Sequence, residues 1–229
     1  MIEMVSVSKV YKAGSRPAVS EVSLHVNQGE FVFLVGPSGA GKTTLIKLIS
    51  REEMPTAGEI KFLGRETAAY KERQLLLHRR QMGLVFQDYR LLKSKTIYEN
   101  VALALEVSGR PPQEIRRRVP AALARVGLAG KEGSFPDELS GGEQQRAGIA
   151  RAIVREPLMI LADEPTGNVD RETARGIMEL FETINEGGTT VIIATHAWDM
   201  VDRLKKRVVS LEEGRIVGDE EQGSYGHVH

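Results

Sequence analysis

The sequence predicts an α/β fold with a mostly parallel core sheet, an antiparallel β layer near the N-terminus and an inserted helical segment. Residues 31–35 and 158–162 are continuously apolar, and residues 190–194 are apolar after Thr190, as is typical of central parallel strands that are buried on both faces. Segments with helical periodicity lie between these runs. Because parallel neighbours in a sheet are joined by right-handed crossovers, this order of strands and helices indicates a mostly parallel sheet.

The first part of the chain is predicted to be rich in strands. Residues 2–10 and 19–26 alternate apolar and polar side chains around a turn at residues 14–17, which favours an antiparallel pair. Turn-forming residues at 56–58 and at Gly64 bound a further short strand. The elements predicted up to residue 86 are strands 2–10, 19–26 and 31–35, helix 44–49, strand 59–63, a polar Arg-rich helix 71–80 and strand 83–86.

From Gln87 the pattern becomes helical, and prolines at 111 and 112 suit the start of a helix. The elements predicted after residue 86 are helices 98–107, 113–126 and 141–155, strand 158–162, helix 173–185, strand 190–194 and a hairpin over 208–217 that turns at Gly214. We therefore expect one domain over residues 1–229, with a core of residues 1–86 and 158–219, a helical subdomain of residues 87–157 and a polar tail at residues 220–229.

The composition narrows the functional class. A chain of 229 residues can bury the core of one large domain. The 31 Lys and Arg residues balance the 31 Asp and Glu residues, so no net field attracts nucleic acid, and we expect no nucleic-acid partner. Cysteine is absent, which excludes disulfides and thiolate chemistry. We also expect no signal peptide, and no apolar run approaches the roughly 20 residues that span a bilayer, so a membrane role would require a partner.

A glycine-rich loop follows the first buried strand. Residues 36–43 have the form G-x-x-x-x-G-K-[ST], in which glycines let backbone N–H groups surround a polyphosphate. Lys42 supplies positive charge for the β- and γ-phosphates, the Thr43 hydroxyl can bind Mg²⁺, and the N-terminus of the next helix favours an anion. The predicted nucleotide-binding residues of this loop are Gly36, Pro37, Ser38, Gly39, Ala40, Gly41, Lys42, Thr43 and Thr44.

Two adjacent acids follow the buried strand at 158–162, at the carboxyl end where ligands bind in open α/β sheets. Asp163 is placed to hold Mg²⁺, directly or through water, and Glu164 to polarise an attacking water molecule. Taken alone, such a pair also suits a solvated turn or a helix cap. A phosphate loop in the same sheet favours the catalytic interpretation.

Residues 139–146 read Leu-Ser-Gly-Gly-Glu-Gln-Gln-Arg. Ser140 and Glu143 have the spacing of a capping box, which leaves Gly141 and Gly142 unexplained, since a glycine in a helix costs about 0.5–1 kcal/mol relative to alanine. We infer that something approaches this backbone closely, and a helix N-terminus favours an anion. A second anion site beside the phosphate loop indicates either a second nucleotide or a shared one.

Together with Gln87, His196 and the turn at residues 168–170, these motifs resemble those of the ATP-binding-cassette (ABC) ATPases over nearly the whole chain. The resemblance implies a nucleotide-binding domain with a RecA-like core that hydrolyses ATP to ADP and phosphate with Mg²⁺. It also implies a head-to-tail homodimer, in which Ser140 and the glycines after it close on the γ-phosphate held by the loop of the other subunit.

The resemblance assigns further roles residue by residue. Gln87 would sense Mg²⁺ and the attacking water, His196 would contact the γ-phosphate, and Tyr11 would stack on adenine, although an edge-strand tyrosine is an alternative. One departure is Ala197, where the family commonly has an acid. The implied sets are Glu164, His196 and Gln87 for catalysis, Thr43, Gln87 and Asp163 for Mg²⁺, Ser140, Gly141, Gly142, Glu143 and Gln144 for the signature acting across the dimer, and Asp170 for the dimer turn.

Within the family, segments 86–92, 96–101, 115–119, 135–139 and 163–168 look most like the cassettes of bacterial cell division. This likeness implies a polytopic membrane subunit whose cytoplasmic helix docks beside residues 87–92. It also implies a peripheral position on the cytoplasmic side of the plasma membrane at the division site, together with other divisome proteins. ATP-driven closure would activate cell-wall hydrolases and would not move a solute.

Several alternatives stay open at the sequence level. Export cassettes for lipoproteins, peptides or macrolides share segment 163–168, and an ATP-gated scaffold with incidental hydrolysis would carry the same motifs. Tyr89, Leu91 and Leu92 suit core packing as well as docking, and the Arg run at 116–118 suits a solvated helix face better than a lipid site. Trp198 is expected to pack, and His227 and His229 are too few to indicate a metal.

Overall fold

The structure, a computed structural model, describes residues 1–223. Its strands are β1 (Ile2–Lys9), β2 (Val19–Val26), β3 (Phe31–Val35), β4 (Ala57–Phe62), β5 (Arg65–Glu66), β6 (Met82–Phe86), β7 (Met159–Asp163), β8 (Thr190–Ala194), β9 (Arg207–Glu212) and β10 (Arg215–Glu220). Its α-helices are α1 (Lys42–Ile49), α2 (Glu72–Arg80), α3 (Ile97–Glu106), α4 (Pro112–Arg125), α5 (Gly141–Ile153), α6 (Arg171–Glu186) and α7 (Trp198–Leu204), with a 3-10 turn at Pro136–Glu138.

The central sheet has six strands in the order β10-β9-β3-β8-β7-β6. All neighbouring pairs are parallel except β10 with β9, which form an antiparallel hairpin. Strands β3 and β8 are buried along their whole length, because helices and the second sheet cover both faces. The carboxyl ends of β3, β7 and β8 therefore lie side by side at one edge of the sheet.

The second sheet has four strands in the order β2-β1-β4-β5, all antiparallel. Its apolar face, including Ile2 and Val22, joins one hydrophobic cluster with Leu45 and Leu48 of α1. Helix α1 therefore packs between the two sheets, which holds the residues just before it in a fixed place.

The helical segment covers the opposite face of the central sheet. Helices α3, α4, α5 and α6 share one hydrophobic cluster with that face, in which Val101, Leu123 and Ile149 are fully buried. Along α4, Ile115 and Val119 face this core while Arg116 and Arg117 are exposed, in line with a solvated helix face.

The predicted fold class is confirmed: both sheets, the helical segment and the closing hairpin are present. Three short elements, β5, α7 and the 3-10 turn at Pro136–Glu138, were not predicted, and α1 begins at Lys42 inside the glycine-rich loop. Of the expected polar tail, Glu220 still belongs to β10, and residues 224–229, with His227 and His229, lie outside the described residues. Among residues 1–223, no helix is both long and apolar enough to cross a bilayer.

Candidate functional site

The glycine-rich loop connects β3 to α1 and has the backbone shape that its glycines allow. Gly36, Gly39 and Gly41 have φ values of 144°, 81° and 106°, in the left-handed region that favours glycine. A Cβ at Gly36 would lie 2.1 Å from the Leu211 carbonyl oxygen, and one at Gly41 would lie 2.5 Å from that of Ala18. At Gly39 a Cβ would meet nothing within 4 Å, so only the backbone conformation requires glycine there.

Lys42 lies at the start of α1 with its side chain folded over the loop. Its Nζ donates to the carbonyl oxygens of Gly36 at 2.7 Å and Pro37 at 3.2 Å, and it lies 3.9 Å from Glu164 Oε1. The ammonium group is buried, and the Glu164 carboxylate at 3.9 Å lies beyond hydrogen-bond distance. It can therefore exchange neutral carbonyl acceptors for phosphate oxygens, which bind it more strongly.

Thr43 and Asp163 meet across the sheet edge, and Thr43 Oγ1 donates to Asp163 Oδ1 at 3.1 Å. Burial raises the pKa of Asp163, and the hydrogen bond from Thr43 opposes that rise. A hydroxyl and a carboxylate are the hard oxygen ligands that Mg²⁺ prefers. Among residues 1–223 no group of three or more His, Cys, Asp or Glu side chains is placed to hold a metal ion.

Glu164, directly after β7, has a φ of 48°, a conformation that costs a non-glycine residue about 1–2 kcal/mol. Its backbone N–H donates to Ala194 O at 2.8 Å, which holds it at the end of β8. Its Oε2 lies 2.8 Å from His196 Nδ1 and accepts from the His196 backbone N–H at 3.3 Å. The strained backbone therefore points the carboxylate at His196 and Lys42 rather than at solvent.

These groups share one cavity of about 750 Å³. The structure brings the loop residues from Ser38 to Thr44 together with Gln87, Glu164 and His196 around it. Ala18 and Trp198 also line the cavity, and neither was predicted to do so. Their positions depend on the β1–β2 connection and on α7, which leave no motif in the sequence.

Tyr11 lies beside the loop but has only weak contacts. Its hydroxyl is 3.5 Å from Thr44 Oγ1, Lys9 Nζ lies 5.1 Å from the ring centroid, and half of the residue (51%) is exposed. The exposed ring leaves an aromatic face open next to the phosphate loop.

The predicted signature forms the N-terminus of α5 and does not line this cavity among the described residues. The capping box is present: Ser140 Oγ accepts from Glu143 N at 3.3 Å, and Ser140 N donates to Glu143 Oε2 at 2.9 Å. The hydrogen bond from the Ser140 backbone is the main cause that lowers the pKa of Glu143. Gln144 Nε2 donates to Leu139 O.

The signature glycines have close neighbours within the same chain. A Cβ at Gly142 would lie 2.3 Å from Thr173 Cγ2 on α6, and one at Gly141 would lie 3.0 Å from the Tyr89 hydroxyl. The sequence analysis explained these glycines by an approaching anion. The structure adds a second reason, which is the close packing of α5 on α6 and on the segment after Gln87.

The turn at residues 168–170 connects Glu164 to α6. Asp170 caps α6, since its Oδ1 accepts from the backbone N–H groups of Glu172 and Thr173 at 3.0 Å. Asn168 contacts Gln87 through its side chain, a contact the sequence analysis did not find.

A second cavity, of about 530 Å³, lies beside residues 87–92 between the central sheet and α3. Its apolar lining includes Met82, Leu84 and Leu103. Its basic lining consists of Arg79, Arg90, Arg151 and Arg155. Of the residues whose role was open, Leu91 packs against the core, whereas Leu92 is 44% exposed, and Trp198 packs against the core as expected.

Comparison with known proteins gives consistent matches. A family model described as "ABC transporter" matches residues 19–167. The cell division ATP-binding protein FtsE of Mycobacterium tuberculosis is 51% identical over 226 residues, covering 99% of this chain and 98% of the relative. FtsE of Bacillus subtilis is 50% identical over 226 residues, covering 99% of each. The dimeric cassette MJ0796, described in a post-hydrolysis state bound to ADP and Pi, superposes with a TM-score of 0.88 at 35% identity, covering 98% of this chain and 100% of that one.

These matches cover nearly the whole chain. The structure also has a phosphate loop, an acidic strand end and a signature helix in the expected places. Together these observations assign the family. The chain belongs to the ABC transporter family and is one of its ATPase cassettes.

Proposed function

We propose that this chain is the ATP-hydrolysing subunit of an FtsEX-type membrane complex in bacterial cell division. The observation that carries the proposal is the identity of about half of all positions, over nearly the full length, with proteins named for cell division. A match of this length includes the helical segment and the second cavity as well as the nucleotide motifs shared by the wider family.

At the nucleotide site, Lys42 and the backbone N–H groups of the loop would hold the phosphates, and Tyr11 would cover the adenine. Thr43, Asp163 and Gln87 are proposed to hold Mg²⁺, which supplies neutralising charge for the phosphates. Glu164 would accept a proton from the attacking water. His196, 2.8 Å from Glu164 Oε2, would keep that carboxylate in place and contact the γ-phosphate.

We infer that a complete site needs two subunits. In one chain Ser140, Gly141 and Gly142 form a helix N-terminus outside the cavity that contains the phosphate loop. A head-to-tail dimer would bring them, with Glu143 and Gln144, to the γ-phosphate of the other subunit, with Asp170 at the shared boundary. We also propose that residues 1–86 and 158–219 form the core and that residues 87–157 form the helical subdomain, which carries the signature.

The second cavity is our candidate docking site for a polytopic membrane subunit resembling FtsX. It has an apolar floor and lies next to residues 87–92, so a helix seated there would contact the segment that carries Gln87. The chain would then lie on the cytoplasmic side of the plasma membrane at the division site. Recovery of the chain with its membrane partner, identified by mass spectrometry, tests this step, and recovery of an export permease instead would overturn the cell-division role.

The catalytic assignment predicts that Glu164→Gln retains ATP binding but loses hydrolysis. The amide cannot accept the proton, and loss of one such group costs about 3–4 kcal/mol of barrier stabilisation, or roughly 100- to 1,000-fold in kcat. The variant should accumulate as an ATP-bound dimer in size-exclusion chromatography. Full turnover by this variant would remove Glu164 from the mechanism.

The shared site predicts that Ser140→Arg lowers hydrolysis while ATP binding to the monomer is unchanged. Thr96→Arg is the matched control, because Thr96 caps α3 with the same capping box as Ser140 on α5 but lies outside the proposed dimer contact. Both changes remove a cap worth about 1 kcal/mol, so only the Ser140 variant should lose ATP-dependent dimerisation. Loss of monomer ATP binding would contradict the two-subunit site.

A further inference from the structure

Asn168 lies in the turn between β7 and α6, and its side chain faces Gln87 across that turn. Its Nδ2 donates to the backbone carbonyl oxygen of Gln87 at 3.0 Å, and its Oδ1 accepts from Gln87 Nε2 at 3.3 Å. A Cβ at the neighbouring Gly167 would lie 2.9 Å from Gln87 Nε2. Residues 167 and 168 therefore contact the Gln87 carboxamide closely, and Gly167 leaves the space that this contact needs.

The two hydrogen bonds together decide which way the Gln87 carboxamide is turned. A backbone carbonyl can only accept, so Asn168 must present its NH₂ group to Gln87 O. Its Oδ1 is then left for the Gln87 side chain, and an acceptor there requires Gln87 to present Nε2. Gln87 Oε1 is consequently the carboxamide atom that remains for the nucleotide cavity, which Gln87 lines.

We propose that Asn168 is a positioning residue that sets the orientation of the Gln87 carboxamide, so that its oxygen and not its NH₂ group is offered to Mg²⁺ and the attacking water. This inference rests on the role proposed above for Gln87. Orientation matters because Mg²⁺ takes oxygen ligands, and an NH₂ group turned toward it would present positive hydrogens.

The segment after Gln87 is held in a conformation that needs such support. Tyr89 and Arg90 both have positive φ, at 57° and 47°, which residues with side chains adopt only where surrounding contacts enforce it. The Arg151 guanidinium donates to Tyr89 O at 2.8 Å and also to Arg90 O. The Tyr89 hydroxyl returns to Asn168, donating to its backbone oxygen at 3.4 Å. Asn168 therefore contacts this segment at Gln87 and again at Tyr89.

The experiment is a double-mutant cycle on the purified full-length chain, with Asn168→Ala, Gln87→Ala and the pair. Two quantities are measured for each protein: kcat for ATP hydrolysis, and the ratio of the ATP dissociation constants with Mg²⁺ and with EDTA. We expect Asn168→Ala to lower kcat about tenfold and to reduce the Mg²⁺-dependent gain in affinity, because a misplaced ligand loses much of its effect. In the Gln87→Ala background, the same change should alter neither quantity by more than about twofold.

If the fold-losses of the two single variants multiply in the double variant, Asn168 acts independently of Gln87, and the inference is overturned. Unchanged kcat and Mg²⁺ dependence in Asn168→Ala, with Gln87→Ala impaired, would overturn it too and leave the proposed function standing. If Gln87→Ala changes neither kcat nor the Mg²⁺ dependence of ATP affinity, the proposed role of Gln87 is wrong, and the inference about Asn168 fails with it.

Thermal unfolding of each variant separates positioning from a loss of structure. If Asn168→Ala unfolds at a lower temperature, the cycle is run with Asn168→Leu, which keeps the size of the side chain but removes both the donor to Gln87 O and the acceptor for Gln87 Nε2. Tyr89→Phe is the matched control on the same segment: it removes only the hydroxyl that reaches Asn168 O, so the Mg²⁺-dependent gain in affinity should stay as in the parent protein.

Discussion

Several residues at the nucleotide site also stabilise the local structure around it. Glu164 sits in a left-handed conformation at the end of β7, and this strain is tolerated because its backbone N–H is bound by Ala194 and its carboxylate by His196. Lys42 similarly spans the loop, in contact with the Gly36 and Pro37 carbonyls and near Glu164. The residues proposed for catalysis are therefore also the residues that hold the sheet edge together.

His78 on α2 is the clearest buried titratable group away from the nucleotide site. It is 2% exposed; its Nε2 donates to Ile49 O at 2.9 Å, and its Nδ1 has no hydrogen-bond partner among the described residues. Burial is the main cause that lowers the pKa of His78, and Arg51 and Arg79 lower it further. The imidazole is therefore neutral in the folded protein under conditions where a free histidine is charged.

This predicts a loss of stability on acidification. Below the unfolded-state pKa of about 6.5, the unfolded chain binds a proton that folded His78 does not, so the free energy of unfolding should fall as the pH drops from there through the folded-state pKa. In His78→Gln, the free energy of unfolding measured with urea should depend less steeply on pH between pH 7 and pH 5. His25→Gln, which changes an exposed histidine on β2, is the matched control. If the unfolding free energy of His78→Gln depends on pH as steeply as that of the parent protein, His78 does not cause the loss of stability in acid.

At the scale of elements, the close approach of α5 and α6 decides where the signature helix begins. Gly142 leaves room for Thr173 Cγ2, while Thr173 Oγ1 donates to Asp170, the cap of α6. Two helix N-termini thus meet at one point: that of α5, proposed to face the other subunit's nucleotide, and that of α6 at the dimer turn.

We predict that Gly142→Ala destabilises the chain by about 1–3 kcal/mol, as is usual for overpacking, because its methyl group would overlap Thr173 Cγ2. Thr173→Ser removes that methyl and keeps the hydroxyl for Asp170, so it should restore most of the lost stability. Chemical denaturation of the single and double variants measures this. A double variant no more stable than Gly142→Ala would show that another contact sets the cost.

At the scale of the whole molecule, the central sheet separates two hydrophobic clusters. Alternate residues of β3 face opposite sides: Phe31, Phe33 and Val35 belong to the helical cluster, and Val32 and Leu34 to the cluster under the antiparallel sheet. Every side chain of β3 is therefore buried, which accounts for its unbroken apolar run.

Arg207 connects the two sheets, since it lies on β9 of the central sheet and contacts β2 of the antiparallel sheet. Arg207 on β9 donates to Glu30 and to Asp219 on β10, each at 2.7 Å, and to the backbone oxygen of His25 on β2 at 2.8 Å. Hydrogen bonds to Asp219, and then to Glu30, raise the pKa of Arg207, so both contacts favour the charged guanidinium.

We predict that Arg207→Gln lowers the free energy of unfolding by about 1.5–3 kcal/mol, because it removes the charge-assisted hydrogen bonds that the guanidinium, which is 15% exposed, makes to Glu30, which is 21% exposed, and to Asp219, which is 40% exposed. Arg215→Gln is the matched control, since its pair with Glu21 is exposed on both sides and should be worth less than about 1 kcal/mol. Equal effects in denaturant titrations would show that burial does not distinguish the two pairs.

Much of the fold and of the nucleotide site could be predicted because the signals are local. The glycine-rich loop, the apolar strands 31–35 and 190–194, and the capping box at Ser140 are patterns within a few residues, and the structure has all of them at or near the predicted bounds. The elements that were missed, which are β5, α7 and the 3-10 turn at Pro136–Glu138, are too short to carry a periodic pattern.

By itself the sequence determined the α/β class, the phosphate loop and the two acids at the end of β7, since each needs particular residue types in consecutive order. Only the tertiary structure decided what Gly142 makes room for, what orients Gln87 and which group holds Glu164. Those answers come from Thr173, Asn168 and His196, each separated from its contact by many residues of chain. Contacts of that kind depend on how elements pack, and packing leaves no pattern in adjacent residues.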